Sequence, residues 1–426
     1  MLTSRPRGTA DIVPPDTARW QWLESLARDV CRVYGYFEIR TPTFEHSELF
    51  HRGVGDTSDI VEKETYTFED RGKRSLTLRP EGTASVVRAY LENGLHNRPQ
   101  PVKLYYLSLP IFRYEKPQAG RLREHHQFGV EALGSDDPHL DAEVIALSLD
   151  FVRRAGLTQL DLRLNSIGCP ACRPRYREVL VEYYRGHTGE MCADCRRRLE
   201  RNPLRLLDCK TDRALAAAAP RSLDFLCEAC RAHFDGLKAA LEELGIGYTV
   251  DPTLVRGLDY YTRTVFEFTH GALGAQNALF GGGRYDGLAE TLGGPRVPGV
   301  GFGLGMERLL GALAGEGRLP EAETGVTAFV IAADGARARA LPLVQRLRAA
   351  GVAADMDFLD RSFRAQFKAA ARYPAHFAVI LGEAELAAGA AAVKDLERGV
   401  QETVPLDDLA EYLRRRAPRS GPQAGA

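Results

Sequence analysis

Apolar residues at helical spacing open the chain. From about Asp16 to Tyr34, Trp20, Leu23, Leu26, Ala27 and Val30 recur every three or four residues and Gly35 follows as a stop, so the pattern predicts a long helix. The period then shortens. FEIRTPTFEH reads as a strand interrupted by Pro42; proline cannot donate to a strand ladder, which places this strand at an edge or an interface. Between about 76 and 134, the runs SLTLRP, KLYYLSLPIFRYE and HQFGVEALG are separated by polar turns, the pattern of antiparallel pairing. The stretch 166–247 is rich in arginine, alanine and cysteine with helical periodicity and reads as a helical insertion. Strand-like segments resume in VRGLDYYTRTVFEFTH and NALFGGGRYDGLAETLGG and lead to GVGFGLGMERLLGAL, whose second half favours helix. After the linker GEGRLPEAETG, VTAFVIAA, ARALPLVQRLRAAG, VAADMDF, SFRAQFKAAARY and FAVILG alternate strand with helix, predicting a small α/β module with a parallel sheet.

These elements predict an α+β domain, an antiparallel sheet flanked by helices, split into 1–165 and 248–318 by the helical insertion 166–247. The α/β module follows at 325–418, with a disordered tail at 419–426.

Composition narrows the classes. A chain of 426 residues exceeds one ordinary core, and 44% hydrophobic with 27% charged residues fits a globular enzyme. No apolar run approaches the roughly 18 residues that span a bilayer. MLTSRPRGTADIVPP lacks the apolar stretch of a secretory signal, so the expected compartment is the reducing cytoplasm, with no membrane partner. The net charge of −1 gives no overall basic excess, but arginines cluster at 113, 121 and 123, at 196–198, and at 361 and 364, as local patches for phosphate or RNA would require.

The segment FRYEKPQAGRLREHHQFGVEALG, 112–134, has two strand-like ends around a loop dense in arginine, lysine and glutamine. A guanidinium on the incoming strand, Arg113, suits charge-assisted contact with a phosphate or carboxylate. On the outgoing strand, Gln127, Gly129 and Glu131 share one face by the period of two and suit a small polar ligand. A basic surface hairpin with solvated charges would read the same way.

Two further segments, LRPEGT at 78–83 and VRGLDYYTRTVFEF at 255–268, make the pattern specific: the chain resembles the histidyl-tRNA synthetases, a class IIa family of class II aminoacyl-tRNA synthetases. RGTADI, TPTFE as motif 1, FRYE with its loop as motif 2, GGGRYDGL, and GVGFGLGMERL as motif 3 follow in family order. The resemblance implies ATP-dependent ligation of L-histidine to tRNA(His) through a histidyl-adenylate, with magnesium carried on the ATP phosphates, by a cytoplasmic homodimer whose interface includes motif 1. It implies Arg256 and Arg113 as catalytic groups, Arg113, Glu115 and Arg308 around ATP, and a class II fold with a C-terminal anticodon-binding domain. For histidine it implies Glu81, Thr83 and Gln127 at the ammonium, Glu131 and Tyr261 at the imidazole, and Tyr260, Tyr285 and Arg256 around them. Gln118 and Arg121 are candidates for the tRNA acceptor end, Arg361 and Arg364 for the tRNA backbone. A non-catalytic paralogue that regulates ATP phosphoribosyltransferase shares the fold; the intact Arg256 and the C-terminal module count against it, and LRPEGT counts against other class IIa synthetases.

Seven of the eight cysteines fall in the insertion: Cys169 and Cys172, Cys192 and Cys195, Cys209, and Cys227 and Cys230. Paired CxxC spacing in a reducing compartment points to structural zinc; packed, reduced thiols are the alternative.

Overall fold

The computed structural model describes residues 3–55, 58, 60–117, 122–271, 277–321, 325–372 and 374–416. Gln118, Arg121 and the expected tail at 419–426 lie outside the described residues. Two compact units divide the chain: one contains Leu23–Leu319, the other Ile12–Trp22 and the described residues from Pro320 onward.

The larger unit is built on an eight-stranded sheet. Its spatial order is Phe37–Glu38, Val102–Phe112, Glu124–Leu133, Gly299–Gly305, Ala278–Arg284, Thr262–Thr269, Asp161–Ser166 and Thr249–Val250. The six inner strands pair antiparallel; the polar turn between Val102–Phe112 and Glu124–Leu133 predicted that pair, while Gly299–Gly305 with Glu124–Leu133 and Thr262–Thr269 with Asp161–Ser166 pair across long stretches of chain. The two edge strands pair parallel, so the sheet is mixed rather than purely antiparallel. Each is two residues long and is reached by a longer connection, which removes the hairpin constraint that enforces antiparallel pairing. Pro42 interrupts no strand: it lies between Phe37–Glu38, which is at the sheet edge, and Phe44–His46. Ser75–Leu78 also departs from expectation, pairing with Phe44–His46 and Tyr66–Glu69 in a separate three-stranded sheet.

The predicted first helix spans Asp16–Tyr34, with Leu23, Ala27 and Val30 fully buried. Helix Pro138–Arg154 starts on an Asp137 cap whose carboxylate accepts from the His139 N–H, and it buries Val144, Ile145, Phe151 and Val152. From Arg173 to Glu243 the chain is helical, in the helices Arg173–Arg185, Ala193–Arg201, Arg213–Ala218 and Glu228–Glu243.

In the smaller unit five strands run in the order Ala354–Met356, Val326–Ala332, Ala375–Leu381, Ala390–Asp395 and Gln401–Pro405. The first three are parallel, as the strand and helix alternation predicted, but the last two add an antiparallel hairpin, so this sheet too is mixed. Gly399, at φ +74°, makes the hairpin turn that its short, alanine-rich strand did not advertise.

Candidate active site

Strand register assembles the site. Across one face of the large sheet, Glu267 stands opposite Gly281, Gly281 opposite Gly303, Gly303 opposite Gly129, and Gly129 opposite Tyr106. One step of two residues deeper, Gly283, Gly301 and Glu131 form the next row; one step the other way, Gly305 faces Gln127. The middle of this face is therefore a floor without side chains, bounded by carboxylate, phenol and amide groups. Close approach explains two of the glycines. A Cβ on Gly281 would lie 2.6 Å from the Phe266 carbonyl oxygen and 2.7 Å from Arg256 Nη1; one on Gly301 would lie 2.1 Å from Glu131 Oε2.

Above this floor, LRPEGT supplies an anchored turn. Arg79 is buried and donates from Nε to the Pro110 carbonyl (2.7 Å) and from Nη1 to the carbonyls of Thr41 (2.9 Å) and Pro42 (2.6 Å), fixing the turn to motif 1 and to the strand before motif 2. The buried Glu81 carboxylate accepts from the Thr83 and Ala84 N–H groups, each at 2.8 Å, satisfying donors that the start of helix Thr83–Glu92 leaves unpaired. Tyr260 OH reaches the same carboxylate at 3.3 Å.

Glu131 sits at the centre. Thr83 Oγ1 donates to one of its oxygens at 2.7 Å, with Tyr106 OH at 3.5 Å, and Tyr285 OH donates to the other at 2.5 Å. Burial pushes its carboxyl up to about 8, although these hydroxyls pull the other way. Burial also raises Glu81 above the ordinary carboxylate range. The rings of Tyr260, Tyr261 and Tyr285 close one wall, with Tyr260 centroids 4.7 Å from Tyr261 and 5.8 Å from Tyr285. Arg256, carried on the same VRGLDYY segment, lies over Gly281 and pairs through Nη1 with Glu267 Oε2 at 2.9 Å.

Two more arginines occupy the strand ends nearer Gln127. Arg113 follows directly after strand Val102–Phe112 and donates from Nε to the Pro80 carbonyl at 2.8 Å; its Nη1 is 3.9 Å from Glu115 Oε1. Arg308, in the first turn of helix Met306–Gly315, donates from Nε to the Ala278 carbonyl at 2.5 Å. Glu307 clamps that helix to the neighbouring strand, accepting from the His126 N–H at 3.0 Å and lying 2.8 Å from its Nδ1. Below the sheet Arg284 is fully buried and forked onto Asp141, with contacts of 2.9 and 3.2 Å from Nε, and it donates to the Ser135 carbonyl at 2.9 Å. GGGRYDG is thus held by its arginine while its tyrosine faces Glu131.

Glu81, Thr83, Gln127, Glu131, Arg256, Tyr260, Tyr261 and Tyr285 share this one region, with Arg113, Glu115 and Arg308 at its open strand ends. Sequence reasoning missed Tyr106, Glu267 and Glu307, whose roles exist only through strand register and pairing between distant segments of the chain. A groove of about 750 Å³ lined by residues including His46, Arg52, Arg88 and Pro295 contains none of the predicted residues; the buried polar network lies on the glycine floor instead. In the smaller unit, Arg361 pairs with the buried Asp357 (Nη1 to Oδ1, 2.8 Å), so its first role is local, whereas Arg364 is exposed on helix Phe363–Arg372. The seven cysteines gather in two four-residue clusters completed by Asp212.

A family model described as histidyl-tRNA synthetase matches residues 8–172 and 180–309, and one described as anticodon binding domain matches 326–416. A histidine–tRNA ligase from Moorella thermoacetica is 58% identical over 418 residues, covering 97% of this chain and 99% of that protein. One from Desulforamulus reducens is 53% identical, covering 98% of this chain and all of its own length. The solved apo structure of Staphylococcus aureus histidyl-tRNA synthetase superposes with a TM-score of 0.83 at 42% identity, covering 97% of this chain and 100% of that one.

Proposed function

The chain belongs to the histidyl-tRNA synthetase family, and we infer that it joins L-histidine to tRNA(His) at the expense of ATP, with the chemistry on the glycine floor. The observation that carries this reading is the enclosure of Glu131: a buried carboxylate ringed by the hydroxyls of Thr83, Tyr106 and Tyr285 beside a floor of glycines that carries no side chains. A site built of hydrogen-bonding groups rejects an apolar analogue by roughly 10⁴-fold or more, because its polar groups would then be buried unpaired.

The imidazole N–H of histidine is read by Glu131, with Tyr261 on the wall beside it. The ammonium is held by Glu81, Thr83 and Gln127. The carboxylate then points toward Arg256 and the strand ends, where Arg113 and Arg308 receive the ATP phosphates and Glu115 the adenine. Magnesium enters with ATP as part of the substrate.

No protein nucleophile is needed. The histidine carboxylate attacks the α-phosphorus, the bond to pyrophosphate breaks, and a ribose hydroxyl of the terminal adenosine of tRNA then displaces AMP from the adenylate. Fixed guanidiniums suit the first step, because negative charge gathers on the transferring phosphoryl group and Arg256 is already held in place by Glu267. Arg113 is held likewise by Pro80.

The smaller unit contributes tRNA binding through its anticodon-binding fold, with Arg364, and Arg361 once released from Asp357, toward the backbone. Gln118 and Arg121 remain candidates for the acceptor end. A homodimer through motif 1 is supported by the exposure of Val33, Phe37, Phe44 and Phe68, large apolar residues on and around that segment. No helix among the described residues is long and apolar enough to cross a membrane; the cytoplasmic location is part of the same proposal and rests on the family resemblance. The purified chain should attach labelled histidine to a tRNA(His) transcript and to no other tRNA. Folded protein that fails to charge but stimulates ATP phosphoribosyltransferase would establish the regulatory paralogue instead.

A further inference from the structure

We infer that the cysteine-rich segment holds two zinc ions, one at Cys169, Cys172, Cys227 and Cys230, the other at Cys192, Cys195, Cys209 and Asp212. The pairing is not the one that sequence order suggests. The first CxxC joins the third, 58 residues on, while the middle CxxC recruits Cys209 and an aspartate that carries no cysteine signature.

Geometry favours a metal over packed thiols. In each cluster the four ligand atoms all lie within 4.8 Å of one another. Sulfur separations are 3.7 Å for Cys169 and Cys172, 4.0 Å for Cys169 and Cys227, and 3.8 Å for Cys192 and Cys209. A tetrahedron of ~2.3 Å zinc–sulfur bonds has edges of about 3.8 Å. Disulfides need sulfurs at about 2.05 Å and would consume the cysteines in pairs, leaving Asp212 with no role in its cluster.

The surroundings suit thiolates. Cys172, Cys192 and Cys227 each occupy the position just before the first turn of a helix of nine or more residues, where the dipole favours negative charge. Backbone N–H groups are aimed at the sulfurs: Cys227 N–H at Cys172 Sγ (3.1 Å), Cys195 N–H at Cys192 Sγ (3.4 Å) and Asp212 N–H at Cys209 Sγ (3.4 Å). Asp212 in turn accepts from the Cys192 N–H at 3.0 Å, which orients its carboxylate toward the cluster. On binding, each thiol gives its proton to solvent and its sulfur lone pair to the metal; the soft donor sets select zinc over magnesium or calcium.

The segment has reason to need such staples. Its helices include one of only six residues, Arg213–Ala218, too short to persist alone, and each metal would tie distant stretches of the segment together. The four-cysteine site also abuts the active site. Arg173, next to Cys172, donates to the Tyr261 carbonyl, while Arg263 exchanges backbone hydrogen bonds with Ile167 (2.8 Å) and Gly168 (2.9 Å).

Elemental analysis of the full-length chain should find two equivalents of zinc, and Cys227→Ser and Cys209→Ser should each retain one. Cobalt replacement reads the sites without any substitution: the wild-type chain should bind two cobalt ions with tetrahedral ligand-field and sulfur-to-cobalt charge-transfer absorption. The inference is overturned by less than about a tenth of an equivalent of zinc together with octahedral or absent cobalt. Iron in place of zinc, or disulfides among these cysteines in protein alkylated without reductant, would overturn it as well. None of these readouts uses histidine activation, so they stand or fall separately from the synthetase reading.

Discussion

The glycine floor and the cysteine clusters both gather ionisable side chains in the larger unit, but they satisfy them differently. On the floor the charges are paired by the protein itself: Arg256 with Glu267, Glu81 with two backbone N–H groups, Glu131 with hydroxyls, and Arg284 beneath with Asp141. In the clusters seven sulfurs and one carboxylate, four ligand atoms to each cluster, meet backbone N–H groups and, in the reading proposed above, a metal ion. A site for a transient ligand must be organised before the ligand arrives, since catalysis depends on groups that need not rearrange. A structural metal site has no such requirement, because binding the metal and folding the segment are one event.

The largest test of that contrast is the buried pair below the floor. Asp141→Ala leaves the fully buried Arg284 with only the Asp286 carboxylate, 3.1 Å from Nη1, and removing one partner of such a buried pair costs up to about 3–5 kcal/mol. Denaturant unfolding should show this loss whether or not a chelator is present; a loss seen only after metal removal would mean that the floor also depends on the clusters. A smaller effect concerns Glu131, which holds a proton up to about pH 8 in the ligand-free protein but releases it in the ordinary carboxylate range when unfolded. The sign follows: the stability it confers is fully present below about pH 4.5 and is lost as pH rises toward 8, at no more than about 1.4 kcal/mol per pH unit. Unfolding across that window should show the slope in the wild-type chain and a shallower one in Glu131→Gln. Equal slopes would show that Glu131 is ionised at neutral pH and that its enclosure is looser than described.

Legibility in the sequence divides along the same line. Local signals were readable: the helix Asp16–Tyr34 from its spacing, the alternation of the smaller unit, and every CxxC pair. Family motifs brought LRPEGT, VRGLDYY and GGGRYDG to one site, as the hydrogen bonds of Thr83, Tyr260 and Tyr285 reflect. What escaped was convergence. Tyr106 and Glu267 matter because register sets each across from a glycine, and register is a property of paired strands that neither strand encodes alone. Asp212 escaped for a similar reason: a single aspartate has no spacing signature, and only the fold sets it against three cysteines. The parallel edge strands, two residues each, are too short to show any period.

The central claim, that the glycine floor activates histidine and that Arg256 serves the transition state there, is tested most directly by ATP–pyrophosphate exchange with each amino acid, run on the wild-type chain and on Arg256→Ala. Exchange should occur with histidine alone, and Arg256→Ala should slow it by roughly 10³-fold while histidine still binds in equilibrium measurements. Exchange with another amino acid, or an Arg256→Ala protein that exchanges at the wild-type rate, would contradict the account.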